Sequence, residues 1–262
     1  MAEQHDFRLL GVLHLPPLPS APRAQLTFDQ VVDRALRDAE ALVRGGIGGC
    51  VIENLGDAPF HATVVEPHVP AMLAVVGSEV KRRFGADLEF GINVLRNDAE
   101  SAMGAAAASG ARFIRVNVLT GSAWTDQGLI HGQAASLLRY RRSLGSSVQI
   151  MADVCVKHAV PAGGTDLVHS AVDTVGRGGA DGVIVTGKGT GLPTDLDDVQ
   201  RVVEAVPNHP VWVGSGVTPS SIVAFKRIAA GAIVGTHLHR DGRIELPIDE
   251  DRVTSMVEAA RS

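Results

Sequence analysis

The chain has 262 residues, 45% of them apolar and 20% charged, enough to bury a large core without disulfides or a structural metal and too apolar for a disordered or fibrous class. Its 24 Lys and Arg against 29 Asp and Glu leave a formal net charge of −5, which argues against a coat for nucleic acid or for an anionic membrane. The two cysteines, Cys50 and Cys155, lie in apolar runs and read as reduced, buried small hydrophobes, with no CxxC spacing that would suggest zinc.

The opening Met1 to Arg8 holds Glu3, His5 and Asp6 rather than a basic region followed by an apolar one, so no targeting segment is read there. The longest stretch free of Lys, Arg, Asp and Glu, Ala205 to Phe225, contains three prolines together with Asn208 and His209. It cannot span a bilayer as an apolar helix. The expectation is a cytoplasmic protein without an integral membrane segment.

In chain order, the first strand candidate is Leu9–Leu13, followed by a helical pattern over Thr27–Arg44. There Val31, Ala35, Leu36, Ala39, Leu42 and Val43 recur at steps suited to one helix face. The alternation continues with strand Cys50–Glu53 and helix Glu66–Phe84, strand Leu88–Val94 and helix Asp98–Ser109, then strand Phe113–Val118 and helix Gly132–Leu144. Strand Val148–Val154 precedes helix Asp166–Gly178, strand Gly182–Thr186 precedes helix Asp195–Ala205, and strand Val211–Gly214 precedes helix Ser220–Ala229. The last pair is strand Ala232–Gly235 and helix Asp249–Ala260. Glycines at Gly45-Gly46, Gly110 and Gly178-Gly179 suit left-handed helix ends, and Asp195, Thr218-Pro219 and Asp249 suit helix starts.

Eight strand–helix units in sequence imply parallel strands with crossover helices, and their number and the chain length match a closed (β/α)8 TIM barrel formed by one domain over residues 1–262. An open doubly wound sheet would carry a Gly-rich turn after its first strand. Here that strand runs into His14-Leu15-Pro16-Pro17-Leu18-Pro19, with no GxGxxG. The loops after strands 1, 2, 4 and 5 are long, which places a site at the carboxyl ends of the strands.

Each strand ends on polar residues: His14, Glu53 and Asn54, Asn93, Asn117, Asp153, Thr186, Ser215 and Thr236 in turn. Such a ring predicts a polar pocket. Gly214-Ser215-Gly216 after strand 7 and Gly235-Thr236 after strand 8 predict a phosphate site, because barrels often hold phosphate there and glycine lets backbone N–H groups approach an anion. Lys188, in the Gly-rich loop after strand 6, reads as a phosphate partner, an imine-forming lysine or a surface side chain. Asp153 with Lys157 and His158 close behind suits acid–base work, and a structural salt bridge uses the same residues. The one HxH pair, His237-Leu238-His239, has only Asp241 nearby as a carboxylate, so neither a metal nor another cofactor is expected.

Taken together, these segments resemble the BtpA family of barrel proteins. The likeness is carried by Gly11-Val12-Leu13-His14-Leu15-Pro16-Pro17-Leu18-Pro19, by Glu53-Asn54 with Asp57-Ala58-Pro59-Phe60, and by Arg115-Val116-Asn117-Val118 and Thr125-Asp126-Gln127-Gly128. Ala152-Asp153-Val154 with Val156-Lys157-His158-Ala159, Ile184-Val185-Thr186-Gly187, Val213-Gly214-Ser215-Gly216-Val217-Thr218 and Ile233-Val234-Gly235-Thr236 extend it over nearly the whole chain. The resemblance implies a ribulose-phosphate-binding type of barrel and adds Asp126 to the ligand contacts. It implies two functions: that of the founding member, a factor for photosystem I accumulation, and a role in sugar metabolism. Lys188, His237 and His239 depart from the family's commoner residues, all on the phosphate side.

The reading that follows is an enzyme acting on a phosphorylated sugar or nucleotide-like molecule, as an isomerase, lyase or glycosidase. Glu53, backed by an apolar run, would be the acid of raised pKa and Asp153 the base, tuned by Lys157 or His158. His14, Asn54, Asn93, Asn117, Asp126, Thr186 and Lys188 would contact the substrate, and Gly214, Ser215, Gly216, Gly235 and Thr236 its phosphate. A homo-oligomer is compatible with this reading, and nucleic acid is not a partner. The competing reading is an assembly factor that binds a protein partner without catalysis.

Overall fold

The computed structural model describes residues 7–155, 159–164, 166–187 and 193–262. The elements run β1 (Arg8–His14), α1 (Phe28–Arg44), β2 (Gly49–Glu53), α2 (His68–Phe84), β3 (Glu89–Asn93), α3 (Ala99–Ser109) and β4 (Phe113–Val116). Then come β5 (Ser122–Thr125), β6 (Gly128–His131), α4 (Ala134–Ser143), β7 (Gln149–Val154), β8 (Ala159–Pro161), α5 (Leu167–Gly176) and β9 (Gly182–Val185). The chain ends through α6 (Leu196–Ala205), β10 (Val211–Val213), α7 (Pro219–Phe225), β11 (Gly231–Val234) and α8 (Glu250–Arg261). Eight parallel strands close into a barrel in the order β1-β11-β10-β9-β7-β4-β3-β2, the architecture expected of the strand–helix alternation.

The helix starts follow from capping chemistry. Thr27 and Thr218 each close a reciprocal capping box, with Pro219 in the first turn after Thr218, and the side chains of Asp98, Asp166, Asp195 and Asp249 accept first-turn N–H groups. Gly110 ends α3 in the left-handed conformation at φ 75°, which only glycine enters cheaply.

Side chains alternate between the two faces of a strand, and this parity organises the molecule. Leu10, Val12, Val51, Phe113, Met151, Ile184, Trp212 and Ile233 form a cluster inside the barrel. Their strand neighbours, among them Leu13, Cys50, Ile52, Ile114, Val116, Ala152, Val183, Val185 and Val213, pack outward in the larger core shared with the helices. Three large interior residues sit in register beside glycines: Phe113 opposite Gly91, Met151 opposite Gly182 and Trp212 opposite Gly231. A Cβ on those glycines would stand 2.2 Å from the Phe113 ring, 2.8 Å from Met151 and 2.4 Å from Trp212. The floor of the barrel is therefore filled by pairing each large side chain with an absent one.

Two features depart from the sequence expectation. Ser122–Thr125, Gly128–His131 and Ala159–Pro161 form a small antiparallel sheet, β6-β5-β8, where only loops were read. Cys155 is half-buried at φ 49°, just past β7, whereas Cys50 is buried as expected, its thiol pushed far up by desolvation. Both thiols are free.

Trp212→Ala should lower the free energy of unfolding by about 3–5 kcal/mol in a urea titration, because the cavity over Gly231 cannot collapse. Gly91→Val should also destabilise, by about 1–3 kcal/mol, by overpacking against Phe113.

Candidate active site

Parity carries the interior face up to the mouth. Two residues beyond the apolar interior positions lie His14, Glu53, Asn93, Arg115, Asp153, Thr186, Gly214 and Gly235. Arg115 is the residue that matters most here, because its guanidinium is buried inside the barrel at 5% exposure. Its Nε donates to Asp153 Oδ2 at 3.1 Å and an Nη donates to Oδ1 at 3.0 Å, a bidentate pair in which the Asp153 side chain has no exposed surface. Asn117 Nδ2 donates to Asp153 Oδ2 at 2.7 Å. Burial alone works against the Arg115 charge, but Asp153 and Glu53 more than compensate and hold its pKa above the ordinary guanidinium value. On the neighbouring strands, Asn93 Nδ2 donates to Glu53 Oε2 at 2.7 Å.

Three of these residues, Glu53, Arg115 and Asn117, line a cavity of about 780 Å³ at the carboxyl ends of the strands. Glu53, Arg115 and Asn117 line one wall with Arg96, and the loops after β10 and β11 line the opposite one. Asn117 Oδ1 is buried with no hydrogen-bond partner among the described residues, an unsatisfied acceptor on a residue that lines the cavity. Desolvation pushes the Arg96 pKa below the usual guanidinium value, against the pull of Asp153, Glu53 and Asp126.

The opposite wall is built from Gly214 to Thr218 and from Gly235 to His237. Gly216 has φ 66°, where a side chain is strained. After β11 the chain makes a tight turn, with Leu238 N–H on Gly235 O at 3.0 Å and His239 N–H on Thr236 O at 3.3 Å. The first N–H groups of such a turn, on Thr236 and His237, have no acceptor inside it. Arg252, from α8, also lines this wall; its Nε donates to His237 O at 2.7 Å and pins the turn.

The residues expected from the sequence divide by position. Glu53, His14, Asn117, Asp126, Gly214, Ser215, Gly216, Gly235 and Thr236 all line the one cavity. Asp126 reaches it from the β5–β6 turn, so the unexpected sheet contributes to the rim. Asn93, Asp153, Asn54 and Thr186 are not among the lining residues. Asn54 instead joins three loops: its Oδ1 accepts from Leu95 N–H at 2.8 Å, and its Nδ2 donates to Asp57, which accepts from Leu18 N–H at 2.8 Å. Ser215 Oγ accepts from Gly187 N–H at 2.7 Å, tying the loop after β9 to the loop after β10. Lys157, His158 and Lys188 lie outside the described residues, and the cation found on Asp153 is Arg115.

Arg96, Arg115 and Arg252 line the cavity as well, although the pattern of polar strand ends does not single them out. Arg115 carried a readable signal, since Phe113, Arg115 and Asn117 share one parity on a strand whose alternate residues are apolar. Arg96 and Arg252 lie in a loop and on a helix, where no periodicity points them at the mouth.

A model of the BtpA family matches residues 6–262. The chain belongs to the BtpA family. Within it, the chain is 45% identical over 251 residues to the photosystem I biogenesis protein BtpA of Synechocystis sp., covering 96% of this chain and 87% of that protein. Barrels of low sequence identity share the fold. The native KDPGal structure has a TM-score of 0.59 at 17% identity, covering 100% of this chain and 98% of the other. The orotidine 5'-phosphate decarboxylase from Pyrococcus horikoshii OT3 has a TM-score of 0.57 at 13% identity, covering 97% of this chain and 100% of the other. In this BtpA-family chain, His14, Glu53, Arg115, Asn117, Asp126 and the Gly214–Thr218 and Gly235–Thr236 segments, all within the stretches that carry the likeness, line the mouth of the barrel.

The Arg115–Asp153 pair makes a stability prediction. Asp153→Asn should cost about 3–5 kcal/mol in urea unfolding, because it leaves a buried guanidinium without its counter-charge. Adding Arg115→Met to Asp153→Asn should recover part of that loss, a coupling that a double-mutant cycle measures.

Proposed function

We propose that this protein is an enzyme that binds a phosphorylated sugar or nucleotide-like small molecule at the barrel mouth and acts on it by acid–base chemistry. The observation that carries this reading is the division of one cavity into two walls. Glu53 and the unpartnered Asn117 Oδ1 face the Gly214–Thr218 and Gly235–His237 loops, with Arg252 beside the latter. A phosphate among those loop N–H groups and Arg252 would hold the rest of the molecule toward Glu53. The names of neighbouring barrels, a 5'-phosphate decarboxylase among them, are consistent with phosphorylated ligands on this architecture.

In this reading Glu53 exchanges the proton, since it lines the cavity from the end of a barrel strand, whereas Asp126, the other lining carboxylate, sits on the β5–β6 turn at the rim. Asp153 contributes by fixing Arg115 and Asn117, which present charge and hydrogen bonds to the ligand. The reaction class stands among isomerisation, elimination and glycosidic cleavage, each of which needs a positioned acid or base beside a sugar carbon. The reading needs no cofactor, nucleic acid or membrane segment, and it places the protein in the cytoplasm; a homo-oligomer is compatible with it.

A second reading, an assembly factor for a protein partner, is favoured by the name of the Synechocystis relative. It is also favoured by Trp124 and Val160, which face each other across β5 and β8 at 57% and 66% exposure.

A thermal-shift panel of sugar phosphates and nucleotides separates the two readings. A ligand at 100 times its Kd should raise stability by about 2.7 kcal/mol, and the unphosphorylated counterpart should have little effect. Gly216→Val and Arg252→Gln should each abolish most of that difference. With a ligand in hand, Glu53→Gln should slow turnover by about 10²–10⁴-fold while retaining binding. Equal shifts with and without phosphate would contradict the enzyme reading.

A further inference from the structure

His14 lines the cavity at the end of β1, and its Nδ1 lies 3.0 Å from His239 Nε2. The two rings meet edge to edge, with centroids 5.2 Å apart and planes 29° apart. His239 is wholly buried, and its Nδ1 lies 2.7 Å from the Leu246 carbonyl oxygen. A carbonyl oxygen only accepts, so His239 Nδ1 carries a proton. In a neutral ring Nε2 is then an acceptor, and the proton between the rings belongs to His14 Nδ1. Burial favours the neutral form of His239 and lowers its pKa; the Leu246 carbonyl and the Asp38 and Glu245 carboxylates oppose this, while Arg34 reinforces it.

We propose that His239 is a positioning residue which, through the Leu246 carbonyl, selects the Nδ1–H tautomer of the neutral His14 ring. Nε2 is then the ring nitrogen that can accept a proton. That nitrogen lies beside Gly235: a Cβ on Gly235 would stand 2.8 Å from His14 Cε1 and 3.3 Å from Nε2. The acceptor therefore lies against the loop that follows β11, close to where the proposed phosphate would bind. The group it recognises is a hydroxyl or another acidic hydrogen one or two bonds from a phosphate ester. This rests on the reading of the cavity as a phosphorylated-ligand site; the tautomer itself does not.

The experiment is a long-range nitrogen–proton correlation spectrum of the imidazoles in the full chain, recorded above their titration range. His14 should show a protonated Nδ1 and an unprotonated, pyridine-type Nε2. His239→Phe removes the acceptor and should return His14 to the Nε2–H form. His239→Gln, whose amide can accept from His14 and donate to Leu246, should keep the Nδ1–H form and covers the case in which the Phe variant fails to fold. A wild-type His14 with a proton on Nε2 overturns the relay, as does a folded His239→Phe with an unchanged His14 tautomer. Inorganic phosphate, titrated into the same wild-type sample, should shift His14 Nε2. With the relay intact, the absence of that shift overturns the cavity reading and leaves the tautomer assignment standing.

Discussion

A guanidinium enclosed by a β-barrel has to be neutralised where it stands, because too little of it faces water for solvation to do so. Arg115 meets that constraint with both oxygens of Asp153, and the consequences spread across the mouth. Asp153 also accepts from Asn117, whose other amide atom, Oδ1, is a buried acceptor with no hydrogen-bond partner among the described residues. Glu53, on the far side of β3 and β4, adds its charge to the same field and is itself held by Asn93. A buried pair of this kind adds little net stability compared with apolar packing, while losing either partner is costly. Its value lies in holding ionic and hydrogen-bonding groups at fixed positions without mobile water between them.

The loops are ordered by the same economy of polar groups. Asn54 and Asp57 fasten the turns after β1, β2 and β3 to one another. Asn97 does so between the loops after β3 and β4, exchanging hydrogen bonds with Val118 at 2.8 and 3.0 Å. Ser215 joins the loops after β9 and β10. Asn54 and Ser215, each next in sequence to an interior position, thus serve as ties between loops, while the interior positions Glu53 and Arg115 line the cavity.

That distinction explains how much of the molecule is legible in its sequence. The eight barrel strands and eight helices follow from apolar periodicity and from caps such as Thr27, Asp195 and Thr218, and the structure matches them closely. The convergence of His14, Glu53, Asn117 and the two glycine loops follows from their place at strand ends. Asn54 was harder to assign, because position at a strand end does not reveal parity; it falls on the odd side, where a side chain turns toward neighbouring loops. The β5-β6-β8 sheet has strands of 4, 4 and 3 residues, too short for an alternating pattern to emerge. Arg252 is brought to the mouth by the packing of α8, a tertiary fact with no local signature.

The function proposed for this protein requires one cavity that joins an anion-binding wall to a wall carrying Glu53. Crystals grown without phosphate or sulfate and then soaked in ribose 5-phosphate show whether it does. Density is expected for the phosphate against the backbone of Gly216 and Thr236, within reach of Arg252, and for the sugar between that site and Glu53. Phosphate density elsewhere on the molecule, or a sugar directed away from Glu53 and Asn117, would contradict it.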